Sequence, residues 1–151
     1  MIKILRNNSD NKDFLELVKL LDNDLNSRYG SIQAQYKEYN KISTMDTVVI
    51  GYFNKVPAGC GCFKVLSEDT IEIKRMFVKP EFRGSGLAKS ILLEIEKWAI
   101  EKGYYRAVLE TGIKQPEAIK FYSNLGYLRI ENYGQYIGNN NSICMSKKLN
   151  K

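Results

Sequence analysis

The chain has 151 residues, enough to bury one hydrophobic core and too few for two domains of ordinary size. Its composition, 44% hydrophobic and 26% charged, is ordinary for a soluble globular protein, and no apolar run approaches the ~18 residues of a membrane-spanning helix. The net charge of +6 comes from scattered lysines rather than from a basic stripe, so the sequence predicts neither a nucleic-acid-binding nor a membrane protein. The first six residues lack the apolar segment of a secretory signal, which favours a cytoplasmic location.

The absence of histidine restricts the chemistry that the protein can perform. No Ser-His-Asp or Cys-His nucleophile can form, so proton transfer must use a carboxylate, a tyrosine, a lysine, a thiol or water. The three cysteines predict no zinc site and no disulfide framework. Cys60 and Cys62 share one face of a predicted strand, Cys144 is far away in sequence, and all three are interpreted as buried small residues.

The N-terminal part predicts one strand followed by helices. Residues 2–5 form the strand, and Asp10 is placed to cap a helix with apolar residues at helical spacing. Gly30 ends this helix, since helix ends favour glycine in the left-handed conformation. Ser31 then caps a second, shorter helix that runs to about Tyr39.

The middle of the chain predicts three antiparallel strands. Residues 47–53 and 58–66 are joined by a tight turn and form a hairpin, and a third strand covers residues 70–78. In this third strand, the alternation of apolar and polar residues breaks at Lys74 and Arg75 and then resumes. One extra residue in a period-two pattern predicts a β-bulge.

The C-terminal half predicts two helices and three strands. An amphipathic helix covers about residues 84–102, a strand follows at 106–111, and Pro116 fits the first turn of the next helix. Residues 127–133 and 142–149 predict a closing antiparallel pair. The expected fold class is α/β, of the α+β type, with a mixed, mostly antiparallel central sheet flanked by about four helices. Residues 1–151 are expected to form a single domain.

The central motif is the turn between the third strand of the middle region and the long helix. Gly84 and Gly86 allow the backbone to approach a ligand that a side chain would push away, and Arg83 adds a permanent positive charge. A helix start after such a turn presents unpaired N–H groups, which suit a phosphate. An ordinary turn before a helix is the alternative. The dinucleotide fingerprint is not met, since Lys89 occupies its third glycine position.

Two blocks of sequence resemble the GNAT superfamily of acyl-CoA-dependent N-acetyltransferases. Arg83-x-x-Gly86-x-Ala88 matches the R/Q-x-x-G-x-G/A signature of that family, and Val78 and Pro80 fall where its strand 4 and the following loop fall. Residues 115–127 are similar to the N-x-x-A-x-x-x-Y-x-x-x-G-F/Y helix of the family, with glutamine instead of the usual asparagine at position 115. Together the two blocks cover roughly residues 70–133.

The resemblance implies acetyl-CoA as co-substrate and no metal. The turn would hold the pyrophosphate, and the backbone of residues 76–78 would pair with the pantetheine arm as an added strand. In this family, a bulge on strand 4 separates it from the next strand and opens the cofactor cleft. The implied cofactor-binding residues are Met76, Phe77, Val78, Arg83, Gly84, Ser85, Gly86, Leu87, Ala88, Lys89, Ser90, Gln115, Ala118 and Phe121.

The resemblance also suggests two catalytic residues. Tyr122 occupies the position of the family's general acid, and Glu72 corresponds to a strand 4 glutamate that acts as base in the histone-acetyltransferase branch. Each has a structural alternative: Tyr122 as a packed helix residue, and Glu72 as a solvent-facing residue paired with a lysine. Glu110 or a chain of waters remains open as the route for the proton.

The implied function is transfer of an acetyl group from acetyl-CoA to a primary amine, on a small molecule or a peptide, by direct attack in a ternary complex. A non-catalytic acyl-CoA sensor of the same fold is the first alternative. An enzyme that uses another nucleotide is the second, although the missing third glycine opposes it. The sequence does not identify the amine, and it is compatible with a homodimer.

Overall fold

The computed structural model describes residues 1–29 and 46–149, and within them it contains a seven-stranded sheet and three α-helices. The strands are β1 (Ile2–Asn7), β2 (Val48–Phe53), β3 (Val56–Val65), β4 (Thr70–Val78), β5 (Arg106–Gly112), β6 (Leu128–Ile130) and β7 (Ser142–Lys148). The helices are α1 (Lys12–Tyr29), α2 (Leu87–Glu101) and α3 (Pro116–Asn124). The second helix predicted from Ser31 to Tyr39 lies outside the described residues.

The sheet has the strand order β1-β2-β3-β4-β5-β7-β6, and all neighbours are antiparallel except β4 and β5. This confirms the predicted mixed, mostly antiparallel sheet. Helix α1 packs on one face through residues such as Phe14 and Leu17, which share a core with Cys60 and Cys62. Helices α2 and α3 contribute to a larger core on the opposite face. No helix in the described ranges is long and apolar enough to cross a membrane.

Two details of the predicted elements are wrong. Helix α1 is capped by Asn11 rather than Asp10, because the Asn11 Oδ1 accepts the backbone N–H groups of Asp13 and Phe14 at 2.8 and 3.1 Å. Strand β6 ends at Ile130 instead of residue 133. The chain leaves the sheet there because the side chain of Asn132 organises the following connection, as described below.

The predicted β-bulge is confirmed on β4. Cys60 and Cys62 of β3 pair with Phe77 and Lys74, so a single residue of β3 lies opposite two residues of β4. Arg75, the extra residue, has a left-handed backbone with φ of 60°. The thiols of Cys60 and Cys62 donate to the carbonyl oxygens of Arg75 and Lys74 at 3.4 and 3.3 Å, so they satisfy bulge carbonyls while lying buried as free thiols, as expected.

The pairing of β4 with its parallel neighbour β5 ends just before the bulge. The β4–β5 pairing runs from Thr70 opposite Arg106 to Ile73 opposite Leu109 and stops there, although β4 continues to Val78. The two strands therefore leave a wedge between them, and along the wedge no strand of the described residues pairs with β4 on that side. This geometry positions the site described below.

A polar cluster inside the larger core ties α2 to β7. Glu96, only 7% exposed, accepts hydrogen bonds from the Tyr127 hydroxyl at 2.7 Å and from Lys147 Nζ at 3.0 and 3.2 Å. The Lys147 ammonium also lies 5.5 Å from the centre of the Tyr127 ring. The helical pattern alone does not reveal this buried carboxylate.

Replacing Glu96 by alanine is expected to lower the free energy of unfolding by about 3 kcal/mol, because it leaves a partly buried ammonium and a buried hydroxyl without their acceptor. The matched control is Glu94→Ala on the same helix, which breaks a half-exposed ion pair with Arg6 and should cost at most about 1 kcal/mol. Urea unfolding followed by circular dichroism measures both values. Equal losses in the two variants would contradict a special role for the buried cluster.

Candidate active site

A cavity of about 440 Å³ lies between the end of β4, the start of α2 and one side of α3. Its walls contain every residue predicted to bind the cofactor except Ser85 and Ser90, together with Tyr122. Ser85 instead donates its hydroxyl to the Phe82 carbonyl oxygen at 2.6 Å, within the turn. The lining is Leu21, Asp24, Arg28, Met76, Phe77, Val78, Phe82, Arg83, Gly84, Gly86, Leu87, Ala88, Lys89, Gln115, Glu117, Ala118, Phe121 and Tyr122.

The glycine turn has a conformation that suits an anion. Gly84 and Gly86 have φ values of 82° and 86°, and a Cβ built on either would meet no other atom within 4 Å. The first turn of α2 begins with the Ser90 N–H bonded to the Gly86 carbonyl oxygen at 3.1 Å. Ala88 and Lys89 come before Ser90 in this first turn, so their N–H groups lie at the positive end of the helix. The turn therefore leaves both the space and the donors that a phosphate group needs.

Arg83 lies where the turn meets the end of β4. Its Nε donates to the Val78 carbonyl oxygen at 2.9 Å, and its guanidinium carbon lies 5.8 Å from the centre of the Phe77 ring. These contacts hold a positive charge at the cavity wall, with Lys89 as a second cation in the lining. Both charges favour an anionic ligand at this end.

Tyr122 reaches the cavity from α3. Its side chain is 7% exposed and packs between the rings of Phe121 and Tyr127, with centroid distances of 5.1 and 5.6 Å. Burial raises the pKa of its hydroxyl, so the phenol stays protonated at neutral pH. No residue in the described part of the chain hydrogen-bonds to that hydroxyl. Tyr122 therefore both packs against neighbouring rings and lines the cavity.

Glu72 lies close to the wedge but not in the cavity wall. Its side chain is buried, and Oε2 accepts the Tyr133 hydroxyl at 2.6 Å. The other oxygen, Oε1, lies 3.5 Å from Lys64 Nζ and 4.0 Å from Lys74 Nζ. The alternative of a solvent-facing residue is wrong, although the expected lysine partner is present. The role of Glu72 as base stays a prediction.

Glu110 lies one position past the last β4–β5 pair, at the apex of the wedge. Leu109 belongs to the core under α2, so strand alternation places Glu110 on the opposite face, the face that carries Glu72 and Lys74. Burial raises the pKa of Glu110 to about 7, against the opposing effects of a hydrogen bond from Ser142 and the charge of Lys74. A carboxylate with this pKa can exchange a proton at neutral pH.

Helix α1 also contributes to the cavity, which the sequence patterns did not predict. Arg28, in its last turn, donates to Glu117 Oε1 at 2.6 Å and to the Lys114 carbonyl oxygen at 3.2 Å, and it also pairs with Asp24 at 3.2 Å. Asp24, Arg28 and Glu117 all line the cavity. Their proximity depends on how α1 packs beside α3, for which the sequence carries no local signal.

Comparison with known proteins identifies relatives of the chain. Residues 14–127 match the model of the acetyltransferase (GNAT) family. The chain is 37% identical over 94 residues to the uncharacterized N-acetyltransferase YsnE of Bacillus subtilis, covering 61% of this chain and 62% of that protein. It is 28% identical over 137 residues to an IAA acetyltransferase of Azospirillum brasilense, covering 89% of this chain and 90% of that protein.

Solved structures share the fold. The PaiA N-acetyltransferase of Thermoplasma acidophilum, in complex with coenzyme A, superimposes with a TM-score of 0.73 at 18% identity, over 98% of this chain and 99% of that one. At this identity the likeness concerns the fold alone. The family model, however, spans most of the chain, including α2, β5 and α3. The chain therefore belongs to the GNAT family of acetyltransferases, as the two sequence blocks predicted.

Proposed function

We propose that the protein is an N-acetyltransferase that moves an acetyl group from acetyl-CoA to a primary amine by direct attack in a ternary complex. The observation that carries the proposal is a glycine turn at the start of α2 that opens into the same cavity as the part of β4 beyond its pairing with β5. The N-acetyltransferase relatives and the neighbour in complex with coenzyme A support it. The acceptor is an amine of a small molecule or a peptide.

The residues present fit acetyl-CoA. The N–H groups at the start of α2 would hold the pyrophosphate, with Arg83 and Lys89 adding positive charge. The edge of β4 from residue 76 to 78 would hydrogen-bond the pantetheine arm, and α3 would form the facing wall through Gln115, Ala118 and Phe121. The bound thioester supplies an activated acyl carbonyl to the acceptor amine.

Transfer forms a C–N bond, breaks the C–S bond, and requires one proton to leave the amine and one to reach the CoA thiolate. Tyr122 is the proposed proton donor, because it lines the cavity and burial keeps its hydroxyl protonated. The rings of Phe121 and Tyr127 pack on both sides of the Tyr122 ring and hold it in position before the reaction.

The proposed base is a carboxylate on the face of the sheet opposite α2. Glu72 is the candidate from the sequence, but Tyr133 already occupies one of its oxygens. Glu110 lies at the apex of the wedge, is less buried, and has its pKa raised to about 7. These features favour Glu110, because the best base has a pKa near the working pH. The amine would then approach from the α1 side of the sheet while the cofactor enters beside α2.

Thiol release from acetyl-CoA tests the function over a panel of polyamines, aminoglycosides, amino acids and peptide N-termini. We expect release with at least one class, and stabilisation of the protein by CoA in thermal unfolding but not by NAD or ATP. Stabilisation by CoA without release from any amine would favour the acyl-CoA sensor. Stabilisation by NAD or ATP instead would contradict a CoA site.

Glu110→Gln is expected to lower kcat/KM by roughly 10²-fold at pH 7, because it removes the proton acceptor while keeping the shape. In the wild type, kcat/KM should rise with pH through about 7 as Glu110 loses its proton, and the variant should lack this limb. Glu16→Gln, an exposed carboxylate on α1, is the matched control for the change of charge. A Glu110→Gln enzyme with the wild-type pH profile would exclude Glu110 as base.

A further inference from the structure

The buried carboxylate of Glu72 connects β4 to the segment between β6 and β7. Its Oε2 accepts the Tyr133 hydroxyl at 2.6 Å, and only 2% of the residue is exposed. Lys64, its register partner on β3, and Lys74 on β4 approach the other oxygen. Both oxygens are therefore engaged, and little room is left for an incoming amine to reach them.

Side-chain hydrogen bonds and ring contacts hold together the segment that carries Tyr133. The Asn132 side-chain amide donates to the carbonyl oxygens of Tyr136, Asn139 and Ser142 at 3.1, 3.0 and 3.2 Å. The rings of Tyr133 and Tyr136 meet edge to face at 5.6 Å, and Tyr136 packs against Cys144 of β7. The Tyr133 hydroxyl attaches this unit to β4 at Glu72.

Glu72 also lies in the electrostatic surroundings of Glu110. Among the residues that the structure describes, the groups that face Glu110 are Glu72 and Lys74 from β4, Ser142 and Cys144 from β7, and Tyr136 from the β6–β7 connection. Among them, Glu72 is the like charge and Lys74 the opposite one. The negative charge of Glu72 raises the pKa of Glu110, and that of Lys74 lowers it.

We propose that Glu72 is a positioning residue: through the Tyr133 hydroxyl it fixes the β6–β7 connection against the face of the sheet from which the amine approaches Glu110. This inference rests on the proposed function, in which Glu110 takes the proton of the amine. Glu72 thus links the shape of the acceptor site to the pH at which the base becomes available. It touches neither the acetyl group nor the amine.

A titration of Glu110 tests the electrostatic half without any assay of activity. Carboxyl ¹³C NMR follows the glutamate side chains, and the Glu110 signal is identified by its loss in Glu110→Gln. Glu72→Gln should lower the pKa of Glu110 by roughly 0.5 or more, because a like charge is removed. Glu72→Asp, which keeps the charge, should keep the Glu110 titration closer to that of the wild type, and Glu16→Gln should leave it unchanged. An unchanged pKa of Glu110 in the Glu72→Gln variant would overturn the electrostatic part of the inference.

Steady-state kinetics test the positioning half with the acceptor found in the thiol-release panel. Tyr133→Phe removes one hydroxyl and keeps the charge of Glu72, so we expect KM for the amine to rise about tenfold and kcat to fall much less. Because only a hydroxyl is removed, this variant remains informative if Glu72→Gln does not fold. An unchanged KM for the amine would overturn the positioning role.

The pH profile separates this inference from the alternative in which Glu72 is the base. Glu72→Gln should keep the rise of kcat/KM with pH and move it to lower pH, together with the titration of Glu110. Complete loss of that rise in Glu72→Gln would make Glu72 the base and contradict the inference. If the wild type releases no thiol with any amine while the Glu110 titration still moves, the proposed function fails and the electrostatic link stands.

Discussion

A Gly86→Val variant is expected to lose CoA binding while the domain remains folded. The added side chain would extend into the space above the start of α2, where a Cβ meets no protein atom and where the pyrophosphate is proposed to lie. Two or more charge-assisted hydrogen bonds to phosphate would be lost, which corresponds to an affinity loss of at least ~10²-fold. Isothermal titration calorimetry with CoA measures the effect.

Backbone strain is the main confounding effect, because Gly86 has a φ of 86° that valine adopts poorly. Gly103→Val is a matched control: Gly103 follows α2 with a φ of 96°, has no atom within 4 Å of a built Cβ, and is not part of the cavity. Both variants should lose comparable stability, but only Gly86→Val should lose CoA affinity. Wild-type affinity in a folded Gly86→Val protein would remove the turn from the cofactor site.

A Tyr122→Phe variant is expected to lower kcat by roughly 10²-fold, the usual effect of removing a general acid. The substitution removes only the hydroxyl, so the contacts with the rings of Phe121 and Tyr127 should persist. Since none of the described residues hydrogen-bonds to this hydroxyl, stability should change little. Thiol release at saturating acetyl-CoA and amine measures kcat, and CoA affinity should remain close to that of the wild type.

Tyr127→Phe is the control for removing a phenolic hydroxyl next to the same site. Its hydroxyl donates to Glu96 inside the core and does not line the cavity, so this variant should lose stability and keep its turnover. Near wild-type turnover in Tyr122→Phe would exclude it as the acid and leave solvent as the proton source. Equal losses of kcat in both variants would indicate a packing effect instead.

Much of the fold follows from local patterns in the sequence. The break in alternation at Lys74 and Arg75 predicted the bulge that the register of β3 and β4 contains. Gly84 and Gly86, between a strand pattern and an amphipathic helix pattern, predicted a glycine turn at the start of a helix, and both glycines are in the left-handed conformation. These features were predictable because the backbone conformation of each residue depends mainly on its own side chain and its nearest neighbours.

Where local signals compete, the prediction of boundaries fails. Asp10 and Asn11 are both good capping residues, and only the path of the chain decides that Asn11 lies within reach of the first turn of α1. Strand β6 ends early because Asn132 finds three carbonyl acceptors in the following connection. The end of β6 therefore depends on the conformation of the ten residues that follow Asn132, which the alternation of residues along a strand does not encode.

The sequence by itself determined the family, the order of most strands and helices, and most of the residues that line the cavity. Only the tertiary structure decided that Glu72 is buried under Tyr133, that Glu110 lies at the apex of the wedge with a pKa near 7, and that Arg28 joins the cavity wall. The physical reason is that burial and pairing depend on residues far apart in the chain. The sequence around a strand carboxylate looks the same whether its side chain faces water or lies buried beside another charge. Only the packing of β4, β5 and β7 decides which of the two environments Glu72 and Glu110 have.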